Sequence, residues 1–377
     1  MVKFLDNLIS KFSTNHPSVL GIDIGSSSIK IVQLKRSGSR AVLETYGELA
    51  LGPYAGFSPG QATSLAEEKV TEALGDILKE KDVNITTNLC GVSIPFASSL
   101  MTVIQLPTSS EKDLANIMPI EVRKYIPVPV SEVTLDWSVI PRNQIIDDTV
   151  SDSQESLKPK DPNMDVLVVA IHNDTLKHYS NIISKNNLQS SFSEIEVFSI
   201  MRSVLDNSLD PVFIFDFGSA STKFFIIERG VLLSSHTVNM GSQNITMSIS
   251  KSFGISLEQA EITKRKFGLS KDLNNPLDIS SVVMLTLEYI FNEAQRTIIN
   301  YEKRYNKSIS KIVMVGGGSS LKGIDKVAEK HFQTTVELGN PFSKVVAPAF
   351  LEKVLKDTAP EFAVSVGLAL RKLQEFQ

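Results

Sequence analysis

The sequence predicts an α/β protein with two similar lobes around a shared cleft. Nearly the same octapeptide occurs twice, "DIGSSSIK" at 23–30 and "DFGSASTK" at 216–223, and each copy lies between two apolar segments of strand length. The chain has 377 residues, which is too many for one small core. A repeat at this separation therefore indicates two homologous lobes, each opening with a β-hairpin.

An amphipathic segment precedes the first hairpin, over residues 1–17. Its apolar residues recur with helical spacing: Phe4, Leu5, Leu8, Ile9 and Phe12. Two interpretations stay open. The segment is either a short helix docked on its own protein (or a frayed terminus), or a weak helix that binds a membrane surface or a partner.

The first lobe is expected to comprise residues 18–98, 186–210 and 345–377. After the first hairpin, "AVLETYGELAL" predicts a third strand, 64–81 an amphipathic helix and "TNLCGVSIP" a buried strand. Residues 99–185 have a β-α-β-β-α pattern, which indicates a small inserted α+β subdomain. Within it, residues 142–163 are polar and nearly free of aromatic residues, so they are predicted to form a mobile loop.

The second lobe is expected to comprise residues 211–344. Three strand-like segments, "PVFIFDFG", "TKFFIIERG" and "VLLSSHTVNMG", precede two helical segments and a long helix from 280. "KIVMVGGGSSLKGIDKVAEKHF" then predicts a buried strand, a glycine turn and a helix. The segment "FAVSVGLALRKLQEF" predicts a final amphipathic helix, which belongs to the first lobe.

Composition excludes several classes of function. The net charge of −4 and the isoelectric point near 5.8 argue against a nucleic-acid-binding surface. Cys90 is the only cysteine, which rules out an intramolecular disulfide and fits a reducing cytoplasm. No His/Cys metal cluster, membrane-spanning apolar run or signal peptide is visible in the sequence. We therefore expect a cytoplasmic protein.

The composition of the repeated turn suits a phosphate group. Gly25 and Gly218 let the backbone approach a ligand, and successive N–H groups can form an anion nest. The serine hydroxyls are short donors that add no bulk. The predicted phosphate-binding residues are Gly25, Ser26, Ser27, Ser28, Lys30, Gly218, Ser219 and Ser221.

Asp23 and Asp216 each stand two residues before the glycine of their turn. A carboxylate there repels phosphate unless a cation intervenes, so these residues predict Mg²⁺ held partly through water. Two facing hairpins would clamp one polyphosphate from both sides. A single hairpin of this kind is more often a tight turn with an Asx hydrogen bond, but the second copy favours phosphate binding.

Two further segments suit a nucleoside. In "VMVGGGSSLKG", flat backbone at Gly316, Gly317, Gly318 and Ser319 can lie against an adenine ring, and the following helix N-terminus favours an anion. The alternative is a flexible glycine turn between two elements. Glu261 and Lys264 share one helix face, where they can reach ribose hydroxyls or form a surface ion pair.

In this order, the segments resemble the ATPase superfamily of actin, heat-shock chaperones and sugar kinases. "DIGSSSIK" and "DFGSASTK" match its phosphate motifs, "VGGGSSLKG" its adenosine motif and "AEITK" its ribose-contacting helix. "EIEVFSIMRSV" and "FAVSVGLALR" are similar to its two connecting helices. The resemblance implies an actin-like fold of two RNase-H-like lobes around a nucleotide cleft. It also places Glu196 near the metal and the attacking water as the candidate catalytic residue, although Val197 and Ser199 replace the usual Pro and Ala.

Within that superfamily, the sequence resembles the PilM family of type IV pilus assembly proteins. The resemblance depends on "LGIDIGSSSIKIVQL", on "KYIPVPVSEVTLDWSVI" at 124–140 and on "MGSQNIT" followed by "AEITKRKFG". It implies a cytoplasmic scaffold that binds ATP and Mg²⁺ and is at most a slow ATPase. It also implies binding to the cytoplasmic N-terminal tail of a PilN-like inner-membrane protein, and thus a peripheral position at the inner membrane. Other pilus inner-membrane components and motor ATPases are further expected partners.

Two alternatives stay open beside this interpretation. One is an FtsA-like, membrane-associated filament protein. The other is a sugar- or acetate-type kinase of the same fold. A kinase needs a catalytic aspartate facing an acceptor pocket, and the sequence offers no candidate for it other than Asp23 and Asp216.

Overall fold

A computed structural model describes residues 18–107, 111–140, 163–206, 208–269 and 277–376. The amphipathic segment 1–17 lies outside the described residues. So does the predicted mobile loop, except for Asn163.

The first lobe is built on a five-stranded sheet with the strand order β3-β2-β1-β4-β8. Strands β1 to β3 form an antiparallel meander, and β4 and β8 extend the sheet in parallel to β1. The strands are β1 (Ser18–Ile24), β2 (Ser28–Ser37), β3 (Arg40–Ala50), β4 (Leu89–Ile94) and β8 (Gln189–Ile195). The helices that pack on it are α1 (Glu67–Lys79), α3 (Asn173–Lys185), α4 (Glu196–Val204), α9 (Glu352–Thr358) and α10 (Ala363–Glu375).

The second lobe repeats this topology. Its sheet has the order β11-β10-β9-β12-β13, again with an antiparallel meander followed by two parallel strands. The strands are β9 (Val212–Phe217), β10 (Thr222–Glu228), β11 (Val231–Val238), β12 (Lys311–Val315) and β13 (Val336–Leu338). Its helices are α5 (Ser242–Phe253), α6 (Leu257–Phe267), α7 (Ser280–Tyr305) and α8 (Ile324–Phe332). The matching strand orders confirm the predicted α/β fold of two similar lobes.

A third, three-stranded antiparallel sheet lies between β4 and α3 in the chain, with the order β5-β7-β6. It consists of β5 (Ser99–Pro107), β6 (Val133–Ile140) and β7 (Asn163–His172), and α2 (Glu111–Glu121) packs on it. The unit has its own apolar core, which includes Ile104, Met118 and Val166. The expected inserted unit 99–185 also includes α3, whereas Ile182 and Ile183 of α3 lie in the core of the first lobe.

The two connecting helices, α4 and α10, pack closely enough to require glycine. A Cβ on Gly21 of β1 would lie 1.9 Å from the carbonyl oxygen of Ser365 in α10. A Cβ on Gly367 of α10 would lie 2.0 Å from the carbonyl oxygen of Ser199 in α4. Val197 and Leu368 of these helices share a core with strands of the second lobe. Both helices therefore lie between the two sheets, and Glu196 at the start of α4 reaches the space between the lobes.

Among the described residues, no helix is both long and apolar enough to span a bilayer.

Candidate functional site

The turns of the two repeated hairpins line one cavity between the lobes. Its volume is about 290 Å³, and both Ser26 of the first turn and Ser219 of the second lie in its wall. Every candidate site residue predicted from the sequence lines this cavity except Ser319. Ser319 is fully buried and its hydroxyl donates to the carbonyl oxygen of Val315 at 2.7 Å, while the neighbouring Ser320 lines the cavity instead.

The two hairpin turns have the same geometry. The N–H of Gly25 donates to the carbonyl oxygen of Ser28 at 3.0 Å, and the N–H of Gly218 donates to that of Ser221 at 3.1 Å. A Cβ on Gly25 would lie 3.1 Å from the Ser28 oxygen, and one on Gly218 only 2.8 Å from the Ser221 oxygen. The tightness of the turn therefore requires glycine at Gly218 and disfavours a side chain at Gly25, in addition to any approach of a ligand.

Asp23 near the end of β1 is a half-buried residue whose carboxyl lines the cavity. Its Oδ1 accepts a hydrogen bond from Ser93 of β4 at 2.8 Å. Burial raises the pKa of Asp23 to about 6, the charge of Lys30 opposes this rise, and the carboxylate of Glu196 adds to it. The ionised form is therefore poorly stabilised by the chain alone.

Lys30 is paired with Asp23 across the hairpin, yet its ammonium group bonds elsewhere. It lies 3.1 Å from the carboxylate of Glu48 and donates to the hydroxyl of Ser28 at 2.6 Å. Burial alone would lower the pKa of Lys30, but Glu48, Glu361 and Asp23 together raise it. Lys30 is thus a fixed cation in the wall of the cavity, and the hydroxyl of Ser28 is already engaged with it.

Lys223 has the position in the second hairpin that Lys30 has in the first, but it bonds differently. Its ammonium group lies 3.1 Å from Asp216 and 2.9 Å from Glu196. The same oxygen of Glu196 also accepts the N–H of Phe96 at 2.7 Å. Burial raises the pKa of Asp216 against the charge of Lys223, and the two carboxylates raise the pKa of Lys223 although burial opposes them. Lys223 was not predicted as a site residue from the sequence, although it occupies the position in the second octapeptide that Lys30 occupies in the first.

Glu261 and Lys264 of α6 form a largely buried ion pair that lines the cavity. They are therefore not an ion pair on the open surface. Their charged atoms are 2.7 Å apart, and Lys264 is only 6% exposed. Thr246 of α5 donates to Glu261 at 2.6 Å and lies 2.8 Å from the Lys264 ammonium. Burial lowers the pKa of Lys264, and Glu261 opposes that shift. Both side chains are therefore held in place toward the cleft.

The glycine loop after β12 packs against the end of β9. Gly316 has φ +84°, and a Cβ there would lie 2.7 Å from Oδ1 of Asp216. A Cβ on Gly318 would lie 2.5 Å from the ring of Phe217, whereas Gly317 has no neighbour closer than 3.9 Å. The sequence predicts a helix N-terminus directly after this loop, but the start of that helix does not line the cavity. A short 3₁₀ turn over Gly317–Ser320 follows the strand, and α8 begins at Ile324, beyond the last residue of this loop in the cavity wall.

A segment of the first lobe, residues 56–66, bridges the two hairpin turns. The N–H of Thr63 donates to the carbonyl oxygen of Ser26 at 2.8 Å, and the hydroxyl of Ser219 donates to that of Gly60 at 3.3 Å. The N–H of Ala62 donates to the side chain of Gln243 in α5 at 2.9 Å. We call this segment the bridging loop. Its glycine and proline content marks a loop in the sequence, but nothing there indicates its contacts.

Several other residues of the cavity wall were missed by sequence reasoning because they carry no motif. They include Glu48, Arg265 and Glu361. Arg265 pairs with Glu261 at 2.7 Å, and burial raises the pKa of Glu361 while Lys30 opposes it. The wall therefore contains both cations and carboxylates beside the serine turns.

The donor set of the cavity fits a magnesium ion only in part. Asp23 and Asp216 supply the hard carboxylate oxygens that Mg²⁺ prefers. In the part of the chain that the structure describes, however, no three His, Cys, Asp or Glu side chains form a metal-binding group. A magnesium ion here would need most of its ligands from water and from a bound polyphosphate.

Comparisons with known proteins agree with this architecture. The cell division protein FtsA of Neisseria meningitidis is 22% identical over 321 residues, which are 78% of this chain and 77% of that protein. FtsA of Buchnera aphidicola is 26% identical over 179 residues, and there the chain spans 41% of the relative's length and 41% of its own.

Solved structures are similar over most of the chain. A PilM–PilN type IV pilus biogenesis complex has a TM-score of 0.76 at 21% identity, covering 94% of this chain and 98% of that one. MreB5 of Spiroplasma citri bound to AMPPNP has a TM-score of 0.51 at 12% identity, covering 95% and 97%. The chain therefore has the actin-like fold.

One family accounts for nearly the whole sequence. Its description is type IV pilus assembly protein PilM, and the match extends over residues 21–373. The matched region includes both serine turns, the inserted sheet, α4 and most of α10. The chain belongs to the family of type IV pilus assembly protein PilM.

Proposed function

We propose that the chain binds ATP with Mg²⁺ between its lobes, with the phosphates between the two serine turns. The observation that carries this proposal is that Ser26 and Ser219, from different lobes, line the same cavity. The turns offer backbone N–H groups and hydroxyls to an anion, and Lys30 adds a fixed cation. The AMPPNP bound to MreB5 supports an ATP-type ligand for a protein of this fold.

The other wall residues suit the remaining parts of the nucleotide. Lys264 and Glu261 suit the ribose hydroxyls, and Gly317 presents bare backbone to the base. Asp23 and Asp216 would hold Mg²⁺ partly through water, and the ion would supply the positive charge that lets phosphates lie beside two carboxylates. The raised pKa of Asp23 supports this role, because its negative charge lacks sufficient compensation within the chain.

The bound ATP acts in this proposal as a structural ligand or a slow switch. A catalytic Glu196 would have to accept a proton from the attacking water. Its Oε1 is already occupied by the ammonium group of Lys223 at 2.9 Å and the N–H of Phe96 at 2.7 Å. These contacts leave only Oε2 to accept the proton, and we expect at most slow hydrolysis.

The chain serves, in the same proposal, as a cytoplasmic scaffold of a type IV pilus or related machine. Its partner is the cytoplasmic N-terminal tail of a PilN-like inner-membrane protein, which would hold it at the inner membrane. The family and the solved PilM–PilN complex of a relative support this. So does the inserted sheet, because β5 and β6 each have one strand neighbour among the described residues and an extended peptide can add to such an edge.

Calorimetry with Mg·ATP tests the nucleotide site. The wild type should bind, and Asp23→Ala and Asp216→Ala should each weaken binding by about tenfold or more. Asp82→Ala, which removes an exposed carboxylate outside the cavity, is the matched control. Absence of binding to the wild type, or unchanged affinity in both cavity variants, would overturn the proposal.

Fluorescence anisotropy with a labelled PilN-like tail peptide tests the partner. Val103 of β5 is 39% exposed, and Val103→Arg should weaken peptide binding by about tenfold because it places a charge on the edge strand where the peptide would add. Val354→Arg makes the same change at an exposed valine of α9 and should leave binding unaltered. If the peptide binds neither the wild type nor any variant, the partner assignment is wrong.

A further inference from the structure

A second cavity lies at the junction of the lobes, separate from the cavity between the serine turns. Its volume is about 600 Å³, compared with 290 Å³ for the first. Its wall combines the β2–β3 turn, the ends of α4 and α10 and the β10–β11 turn. The volume lies within the range of about 300–1,000 Å³ that is typical of ligand pockets.

The wall of this second cavity is strongly basic. Six cations and two carboxylates line it: Arg36, Arg40, Arg202, Arg229, Lys311, Lys344, Asp206 and Asp210. Arg202 is paired with Glu194 at 2.7 Å and Lys311 with Glu337 at 2.8 Å. For Arg36 and Arg40, no ion pair with a carboxylate occurs among the described residues, and Arg36 instead donates to the carbonyl oxygens of Gly38 and Phe376. This basic wall contrasts with the net charge of −4 of the whole chain.

Apolar side chains of the two connecting helices form the floor. Met201 comes from α4, Leu205 directly follows that helix, and Leu370 and Leu373 come from α10. Lys344 closes the end of α4 by donating to the carbonyl oxygens of Arg202, at 2.9 Å, and of Leu205. The cavity therefore has a basic rim above an apolar floor.

This combination favours a peptide over a small anion. The cations come from five separate segments in both lobes, so a single phosphate would contact only a few of them. A segment that carries several carboxylates and apolar side chains matches both the rim and the floor.

The same two helices line both cavities. Glu196 starts α4 in the first cavity, and Leu205 directly after the helix lies in the second. Val364 of α10 lines the first cavity, and Leu373 lines the second. A change in the angle between the lobes would therefore alter both cavities together.

We propose that the second cavity binds an acidic peptide segment of a protein partner. The carboxylates of the peptide would lie on the basic rim, and its apolar side chains would lie on the floor formed by α4 and α10. The occupancy of this cavity is coupled to the nucleotide in the first cavity, and this coupling rests on the proposed function.

The test uses labelled peptides of equal length and apolar content that carry glutamate, glutamine or lysine at the polar positions. By anisotropy, the full chain should bind the glutamate peptide about tenfold more tightly than the other two. Inorganic phosphate and phosphatidylglycerol vesicles serve as competitors. If either of them binds at the arginine rim while the glutamate peptide does not bind, the proposal is overturned.

Two double variants test the location of the binding site. Arg36→Glu/Arg40→Glu leaves four cations and four carboxylates in the wall, so it should weaken binding of the glutamate peptide by about tenfold and remove its advantage over the lysine peptide. Lys79→Glu/Lys81→Glu makes the same charge change on an exposed part of the first lobe and should alter affinity by less than about twofold. Equal losses in both double variants would mean that only net charge is sensed, and a change in oligomeric state without peptide would indicate a second copy as the occupant. Either result would overturn the proposal.

The coupling is tested by repeating the peptide titration with saturating Mg·ATP. Linkage requires that ATP change the peptide affinity and that the peptide change the ATP affinity by the same factor. If ATP binds and neither affinity changes, the coupling is wrong. If ATP does not bind at all, both the nucleotide proposal and the coupling fail, while the peptide result stands alone.

Discussion

The ammonium group of Lys223 joins two carboxylates from different elements, at 2.9 Å from Glu196 and 3.1 Å from Asp216. Asp216 ends a strand of the second lobe, and Glu196 begins the helix that connects the lobes. All three residues line the cavity between the lobes, and both carboxylates are buried. This one cation therefore holds the second hairpin to the connecting helix.

Replacing Lys223 by Met should destabilise the protein, more at high pH than at low pH. Leaving a buried carboxylate without its partner lowers the free energy of unfolding by about 3–5 kcal/mol. Burial already raises the pKa of Asp216, and without Lys223 that pKa rises further. A carboxyl whose folded-state pKa is raised favours the folded state when protonated, so the loss should be largest near about pH 8 and smaller near about pH 5.

Urea unfolding of the wild type and Lys223→Met at both pH values measures this effect. Lys251→Met, which removes an exposed cation from α5, is the control and should change stability by less than about 0.5 kcal/mol. A loss that is equal at the two pH values would contradict the assignment of Asp216 as the destabilised group.

Asp23 should make the nucleotide-free protein less stable as the pH rises. Its pKa is raised from 3.8 to about 6, so the folded state binds the proton more tightly than the unfolded state between these values. Stability should therefore fall across that window, by about 3 kcal/mol in total, since one pKa unit corresponds to about 1.4 kcal/mol. Asp23→Asn removes the ionisation and leaves an oxygen that can still accept the hydrogen bond from Ser93.

Urea unfolding without nucleotide should show Asp23→Asn to be more stable than the wild type near about pH 8 and similar near about pH 4. The same variant should bind Mg·ATP more weakly, because it lacks the carboxylate that would hold the magnesium ion. Asp82→Asn should show neither change. A variant that is less stable than the wild type at the higher pH would refute a penalty from burial of Asp23.

The duplicated octapeptide made the central part of the fold predictable. Nearly identical turn residues between apolar segments favour the same hairpin in both lobes, and the two sheets have matching strand orders. The same repeat located the part of the cavity wall that the two serine turns form, because Gly25 and Gly218 occupy equivalent turns. Local pattern is sufficient where one short segment both forms a turn and supplies its functional groups.

Features that depend on distant contacts were not predictable. Ser319 and Ser320 look alike in sequence, and only the 3₁₀ turn decides that the first donates to Val315 and the second lines the cavity. Lys264 looks like a surface lysine until Thr246 of a neighbouring helix packs over it. Gly60 reaches Ser219 through a contact 159 residues away in the chain, for which no local pattern exists.

The glycine loop offers a matched pair of substitutions. Gly316→Ala places a Cβ 2.7 Å from both Oδ1 of Asp216 and the carbonyl oxygen of Phe217, at a residue with φ +84°. Strain of this kind costs about 1–3 kcal/mol, and moving Asp216 should also weaken Mg·ATP binding. Gly317→Ala meets nothing closer than 3.9 Å and should change the free energy of unfolding by less than about 1 kcal/mol.

Thermal or urea unfolding of the two alanine variants separates these cases, since both carry the same chemical change one residue apart. If Gly317→Ala proves as destabilising as Gly316→Ala, the loop is sensitive to any side chain and its packing against Asp216 is not the cause.

The bridging loop should control how fast nucleotide leaves the cleft. The N–H of Ala62 donates to the side chain of Gln243, which belongs to the opposite lobe, so opening the cleft breaks this bond. Gln243→Ala removes it, and a hydrogen bond is worth about 1 kcal/mol net, or about fivefold in a rate or equilibrium constant. Stopped-flow displacement of a fluorescent ATP analogue should therefore show about fivefold faster dissociation, with little change in the association rate.

Asn292→Ala, which removes an exposed amide from α7, should leave both rates unaltered. Slower association with unchanged dissociation would indicate instead that Gln243 shapes the open cleft, and the bridging loop would not be what retains the nucleotide.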